Sequence, residues 1–175
     1  MKTAANNIIA PRFNFLLEAE FPLNALILAA DALRIANQNS GQEMFLWTYV
    51  SEDGAPVRAS NQMWFDVDCP LDEMPRAEVY LLFVGNLPTQ NISRHLLARL
   101  REAGRFGAIV GGVDTGTFAL ARAGLVGTES SCEVVLHWEA EASFREEFPA
   151  ASPQDRIYLI SATRALCAGG LPRSI

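Results

Sequence analysis

"VGGVDTGTFALARAGL" (residues 110–125) joins an apolar run to a helical pattern through a glycine-rich turn, with Asp114 at its tip. A strand that turns sharply into a helix is a favoured place for an α/β protein to present a reactive or binding side chain, because ligands gather beyond the carboxyl ends of the strands. Neighbouring glycines allow the tight backbone and keep the approach to the tip open. The tip residue is a carboxylate, so the stretch poses a choice between an unusual nucleophile, a ligand contact and a simple helix cap.

Working outward, "AEVYLLFVG" (77–85) and "FGAIVGGV" (106–113) are continuous apolar runs, as expected of central strands covered on both faces. "RFNFLL" (12–17) reads as a first strand and "MFLWTYVS" (44–51) as an alternating, aromatic-rich one. Residues 61–67, "NQMWFDV", suit a short strand or hairpin arm after the turn "EDGAPV". Helical spacing of Leu26, Ala29, Ala30, Leu33 and Ala36 predicts a helix from Leu23 to Asn37, opened by Pro22. Further helices are expected over Ile92–Ala103, over 115–123 and over 133–148, the last with Val134, His137, Trp138 and Phe144 or Phe148 on one face and Pro149 as its stop. "RIYLI" (156–160) and "RALCA" (164–168) read as two short strands. This alternation predicts an α/β fold, a three-layer α/β/α sandwich around a largely parallel sheet, in a single domain spanning 1–175.

The 175 residues, half of them hydrophobic, suffice for one buried core. The longest apolar stretch is interrupted by Asn24, Asp31 and Arg34, so no membrane span is read, and the N-terminus lacks a signal-peptide core. A cytoplasmic location is the default expectation. A formal charge of −6, with basic residues scattered as single arginines, argues against nucleic-acid binding by this chain alone. Cys69, Cys132 and Cys167 lie far apart, which argues against a disulfide framework or a metal cluster. No metal and no cofactor is expected.

"EDGAPVRAS", "LLFVGNLP", "GGVDTGTFALARAGLV", "LHWEAEASFREEFP" and "CAGG" follow one another in an order that resembles the N-terminal sensor domain of AraC-type transcriptional regulators, from about Phe13 to Gly170. That sensor belongs to the class I glutamine amidotransferase-like (flavodoxin-like) superfamily, which also contains proteases, amidases and glyoxalase-like enzymes. In those enzymes a cysteine stands at the elbow position of Asp114. The resemblance implies a preserved pocket without the catalytic sulfur, since a carboxylate is a weak acyl-transfer nucleophile. It also implies a helix-turn-helix DNA-binding domain that would follow the sensor and is absent from this chain.

Candidate ligand-binding residues are Asp114, Thr115, Gly85, Asn86, His137 and Trp138. Asp114 is equally a preferred N-cap for the helix that follows it. Thr115 adjoins it, although its side chain is expected to point away from the tip. Gly85 and Asn86 occupy the place where the related enzymes bind an oxyanion, and Asn86 departs from their glycine pair; a plain turn is the alternative. His137 is either a residue near the pocket or a satisfied structural histidine on an apolar helical face. Trp47, Trp64 and Trp138 raise the further option of an aromatic cage for a cation beside Asp114. His95 is read as surface, Cys167 as a small buried residue, and Glu139, Glu141, Glu146 and Glu147 as a solvated face. The expected function is a non-catalytic sensing and dimerisation domain. Its partner would be a small-molecule effector, such as an amino acid or quaternary ammonium metabolite, with DNA met only through the absent domain. The alternative is a divergent amidase, peptidase or glyoxalase-like enzyme.

Overall fold

The structure, a computed structural model, describes residues 10–85, 92–127 and 132–169. Strand β1 (Arg12–Leu17) leads through Pro22 into helix α1 (Leu23–Ser40), which continues one turn past the expected end and stops at Gly41 in the left-handed conformation, φ 65°. Strand β2 (Leu46–Ser51) is followed by a hairpin of β3 (Val57–Arg58) and β4 (Trp64–Phe65), then β5 (Cys69–Pro70) and the central β6 (Val79–Val84). Helix α2 (Arg94–Arg105) is capped by the Ser93 hydroxyl, which accepts the Leu96 N–H at 2.9 Å. Strand β7 (Ile109–Asp114) and helix α3 (Gly116–Arg122) form the strand–turn–helix elbow. Strand β8 (Cys132–Val134), helix α4 (Glu141–Glu147), β9 (Ala151–Pro153), β10 (Tyr158–Ile160) and β11 (Arg164–Cys167) complete the described chain.

The main sheet has the order β10-β11-β7-β6-β1-β2-β5. All neighbours pair in parallel except the edge pair β10–β11. Its strands are apolar on both sides because both faces are covered. Phe15, Leu17, Phe83 and Val113 turn toward α1, joining Phe21, Leu23 and Leu26. Leu16, Leu82, Val110 and Leu166 turn the other way, against α2, α3 and the Phe118–Phe144 edge-to-face pair, whose centroids are 4.9 Å apart. The expected three-layer architecture with a largely parallel sheet is present. None of the helices in the described residues is long and apolar enough to cross a membrane.

One expected element is wrong. Residues 133–148 do not form a single helix: β8 pairs in parallel with β9 in a separate two-stranded sheet, residues 135–137 run extended, and a short 3₁₀ turn (Trp138–Ala140) precedes α4. The reason lies in Val134, Val135 and Leu136, which are all buried in succession. A helix on the surface of a sheet buries one stripe, not three consecutive residues, and β-branched side chains favour extended backbone. Ala151–Pro153, beyond the expected helix stop at Pro149, supplies the strand that pairs with it.

Candidate functional site

Asp114 is the last residue of β7 and adopts φ 62°, the left-handed region that few non-glycine residues enter. The elbow is made possible by close packing at two glycines. A Cβ on Gly112 would lie 2.7 Å from the Gly116 carbonyl carbon and the Thr117 nitrogen, and one on Gly116 would lie 2.6 Å from the Leu82 carbonyl oxygen. Helix α3 is thereby held directly against the ends of β6 and β7. On the far side, the backbone of Gly169, just past β11, approaches so closely that an added Cβ would sit 2.7 Å from that of Asp114.

Asp114 is buried, with 8% of its surface exposed. Burial pushes its carboxyl up from 3.8 to about 6. His137, the Thr115 backbone and Glu139 modify that shift, the first two holding it down and Glu139 raising it. The side chain is not the cap of α3. Thr115 occupies the N-cap position, and no side-chain cap bond is formed there. Asp114 therefore stands one residue before the cap position that the sequence offers it, and its buried carboxyl is bonded by the backbone of the cap residue Thr115.

Thr115 points away from the tip, as its position in the sequence suggests. Its hydroxyl donates to the Gly85 carbonyl at 2.8 Å and lies 3.3 Å from that of Val84, tying the elbow to the end of β6. Gly85 has its own reason to be glycine, because any Cβ would collide with the Glu20 carbonyl oxygen. Asn86 lies outside the described residues.

His137 and Trp138 reach the elbow from an extended segment and a 3₁₀ turn, not from a helix face, so the shared-face expectation for them is corrected. Two bonds dock this segment. The His137 N–H donates to the Asp114 carbonyl at 3.3 Å, and the fully buried Thr117 hydroxyl donates to the Val135 carbonyl at 2.6 Å. The His137 ring is largely covered, lies 5.7 Å from the Trp138 ring and stands 3.8 Å from a Glu139 carboxylate oxygen. Trp138 itself is 43% exposed.

The three tryptophans do not gather. By strand register Trp47 is level with Phe13, Val79 and Ile109, five residues before Asp114 along the sheet, roughly 16 Å away in the strand direction. Trp64 is an exposed residue of the β3–β4 hairpin. Of the three, only Trp138 adjoins His137.

A further acidic residue joins the same level. Glu18, immediately after β1, donates its N–H to the Phe83 carbonyl at 3.1 Å. Its carboxyl is pushed up from 4.5 to about 7, by burial first and by the neighbouring Glu52 second. Glu52, just past β2, takes the Ser93 hydroxyl at 2.8 Å and a His95 ring nitrogen at 3.3 Å, while the other nitrogen of His95 contacts Asp72 at 3.0 Å. His95 is partly exposed but bridges two carboxylates. Glu18 was not singled out from sequence, although the same rule about strand carboxyl ends that points to residues 85–86 and 114–116 applies to the residue after β1.

No family model matches the chain. Among curated proteins, it is 34% identical over 158 residues to the HTH-type transcriptional regulator CdhR of Pseudomonas aeruginosa, covering 90% of this chain and 46% of that protein. The chain spans about half the length of the curated relatives it matches. Among solved structures, an AraC family transcriptional regulator from Pseudomonas putida superposes with a TM-score of 0.78 at 23% identity, over 90% of this chain and 83% of that one. Drosophila melanogaster DJ-1beta superposes with a TM-score of 0.73 at 18% identity, over 92% of this chain and 83% of its own. The chain is a homologue of the matched half of HTH-type transcriptional regulators, and it has the class I glutamine amidotransferase-like fold of the AraC family regulator and the DJ-1 protein on which it superposes.

Proposed function

We propose that this unit is a non-catalytic, small-metabolite-sensing and dimerisation domain of a cytoplasmic AraC-type regulator. DNA binding would be exercised by a separate helix-turn-helix half. The observation that carries the reading is the buried Asp114 carboxylate on a left-handed elbow, beside His137 and with its carboxyl raised to about 6. A carboxylate is a poor acyl-transfer nucleophile but a good partner for a cation, and in a poorly solvated place that attraction is several times stronger than in water. The effector class is therefore a small molecule with a cationic nitrogen, an amino acid or a quaternary ammonium compound. Its positive group meets Asp114, and the Trp138 face offers a further contact.

Thr115 and Gly85 serve as the frame that holds Asp114 in place, while His137 and Trp138 line the approach. The effector shifts the regulator between states only through a difference in its affinity for them.

A thermal-shift screen with amino acids, glycine betaine and carnitine tests this. A ligand at a hundred times its Kd stabilises the fold by about 2.7 kcal/mol, which raises Tm by roughly 5–11 °C for a chain of this size. The same ligand gives no shift with Asp114→Asn. Absence of any stabilising cation, or turnover of small amides, peptides or ketoaldehydes that Asp114→Asn abolishes, overturns the proposal, the second outcome in favour of an enzyme.

A further inference from the structure

The amino ends of β6 and β7, at the opposite end of the sheet from the elbow, border a separate cavity on the α2 face. Ala108 in its wall precedes Asp114 by six positions, which puts the cavity roughly 20 Å from the elbow along the strands. Its volume is about 210 Å³. Met74, Tyr80, Ala103 and Ala108, all buried, give it an apolar floor. A cavity of about 150 Å³ is enough to take benzene, so a ring with one small substituent is within its size.

Two guanidiniums stand at this cavity with most of their hydrogen-bonding capacity unspent. Arg76 lies over the exposed Phe106 ring, 4.8 Å from its centroid, a contact that commits no N–H to an acceptor. Arg99 gives one N–H, from Nη1, to Glu102 at 2.7 Å. Its Nε is shut off from solvent and donates to nothing. Among the described residues one other buried side-chain polar atom lacks a partner, Oδ1 of Asn14. Asn14 helps to build the same place. It is fully buried and level with Tyr80 across β1 and β6, and its Nδ2 donates to the Pro75 carbonyl at 2.7 Å. That bond fixes the turn that carries Met74 and Arg76. Buried donors without an acceptor are rare in folded proteins, and they are most costly on a charged group.

The two carboxylates of the lining are already engaged. Glu102 takes the Arg99 N–H, and Glu78 takes the Arg12 backbone N–H at 2.7 Å. The Tyr80 hydroxyl accepts the Ala77 N–H at 3.1 Å. What the cavity lacks is an acceptor for its guanidiniums. A planar carboxylate supplies two oxygens that match the forked edge of a guanidinium, and such charge-assisted bonds are stronger than neutral ones. A neutral amide offers a single oxygen and no charge.

We infer that this cavity binds a small carboxylate with an apolar ring, of which an aromatic acid is the simplest form. The ring rests on Met74 and Ala103, and the carboxylate lies between Arg76 and Arg99. The site shares no residue with the elbow and stands whether or not a cationic effector binds at Asp114.

The test is isothermal titration of the 175-residue chain with sodium benzoate, with benzamide as the neutral match and sodium acetate as the carboxylate without a ring. Benzoate binds one to one with a Kd of about 1 mM or tighter, within reach of a ligand this small. Benzamide and acetate bind at least tenfold more weakly. Arg76→Gln and Arg99→Gln each weaken benzoate binding at least tenfold with unchanged circular dichroism, whereas Arg105→Gln, on α2 but outside the cavity, leaves it unchanged. In a proton–nitrogen spectrum benzoate moves the Nε–H signal that Arg99→Gln removes. Absence of saturable benzoate binding, equal binding of benzamide, or cavity variants that bind like the parent overturn the inference. So does benzoate binding that is lost in Asp114→Asn, which would put the carboxylate at the elbow instead.

Discussion

Replacing Asp114 with asparagine makes the protein more stable at neutral pH, and the gain depends on pH in a defined direction. The carboxyl is raised from 3.8 to about 6, chiefly by burial. A difference of that size between folded and unfolded chains corresponds to about 3 kcal/mol at 1.36 kcal/mol per pH unit. Below pH 3.8 both states carry the proton and no penalty exists. Between pH 4 and 6 the unfolded chain ionises while the folded one resists, so the native state loses ground as pH rises. Above about pH 6 both are ionised and the penalty is complete.

Asparagine keeps the size and tolerates the left-handed backbone, so it removes the charge without disturbing the elbow. It remains a buried polar group, which lowers the net gain to about 1–2 kcal/mol. That is a rise in Tm of roughly 2–8 °C for a chain of this length. Scanning calorimetry of both proteins from pH 5 to 8 reads the difference. A gap that is absent at pH 8, or that widens toward pH 5, refutes the idea that the folded state holds a costly carboxylate at the elbow.

Affinity for a cationic effector rises between pH 5 and 7.5 and then levels, because Asp114 ionises through about 6; isothermal titration across that range checks it. Thr117→Val removes the donor to the Val135 carbonyl and leaves that buried oxygen unpaired, costing about 1–3 kcal/mol. Hydrogen exchange then accelerates in residues 135–138 more than in β6. Gly112→Ala drives a Cβ into the α3 backbone and destabilises by about 1–3 kcal/mol in urea unfolding, with loss of the effector response. Phe144→Ala empties a fully buried site beside Phe118 and costs about 3–5 kcal/mol by the same assay.

Much of the frame can be read from the sequence because the main sheet is built from its most explicit signals. The apolar runs at 79–84 and 109–113 allow no other use, and the β1 and α1 patterns leave little doubt about where α1 starts. The elbow is legible for the same reason: three glycines and a helical pattern stand at the end of a buried strand. What surrounds it is not. Residues 133–148 combine a short apolar run with an acidic helix, and helical spacing can be threaded through both. Only the pairing of β8 with β9, a contact made in three dimensions, decides against one long helix. Glu18 escapes notice because a single carboxylate after a strand has no motif, and its significance comes from its burial in the fold and, second, from Glu52 just past the neighbouring strand β2. Trp47 drops out of a tryptophan cage on register, which composition cannot supply.

Asp114 concentrates two unfavourable features in one residue: a left-handed backbone and a carboxylate taken out of water. Neither is needed to fold the sheet. An asparagine or glycine satisfies the backbone more cheaply, and Thr115 already links the elbow to β6 through its hydroxyl. Strain and a perturbed carboxyl that coincide at the carboxyl end of a central strand are features expected where a ligand is met. A positively charged group arriving there removes the larger cost by pairing with the carboxylate. The bound state is then stabilised by the same interaction that makes the empty one uncomfortable. The sensitivity of such a site follows from the difference between the two, so the Asp114→Asn protein should be both firmer and deaf.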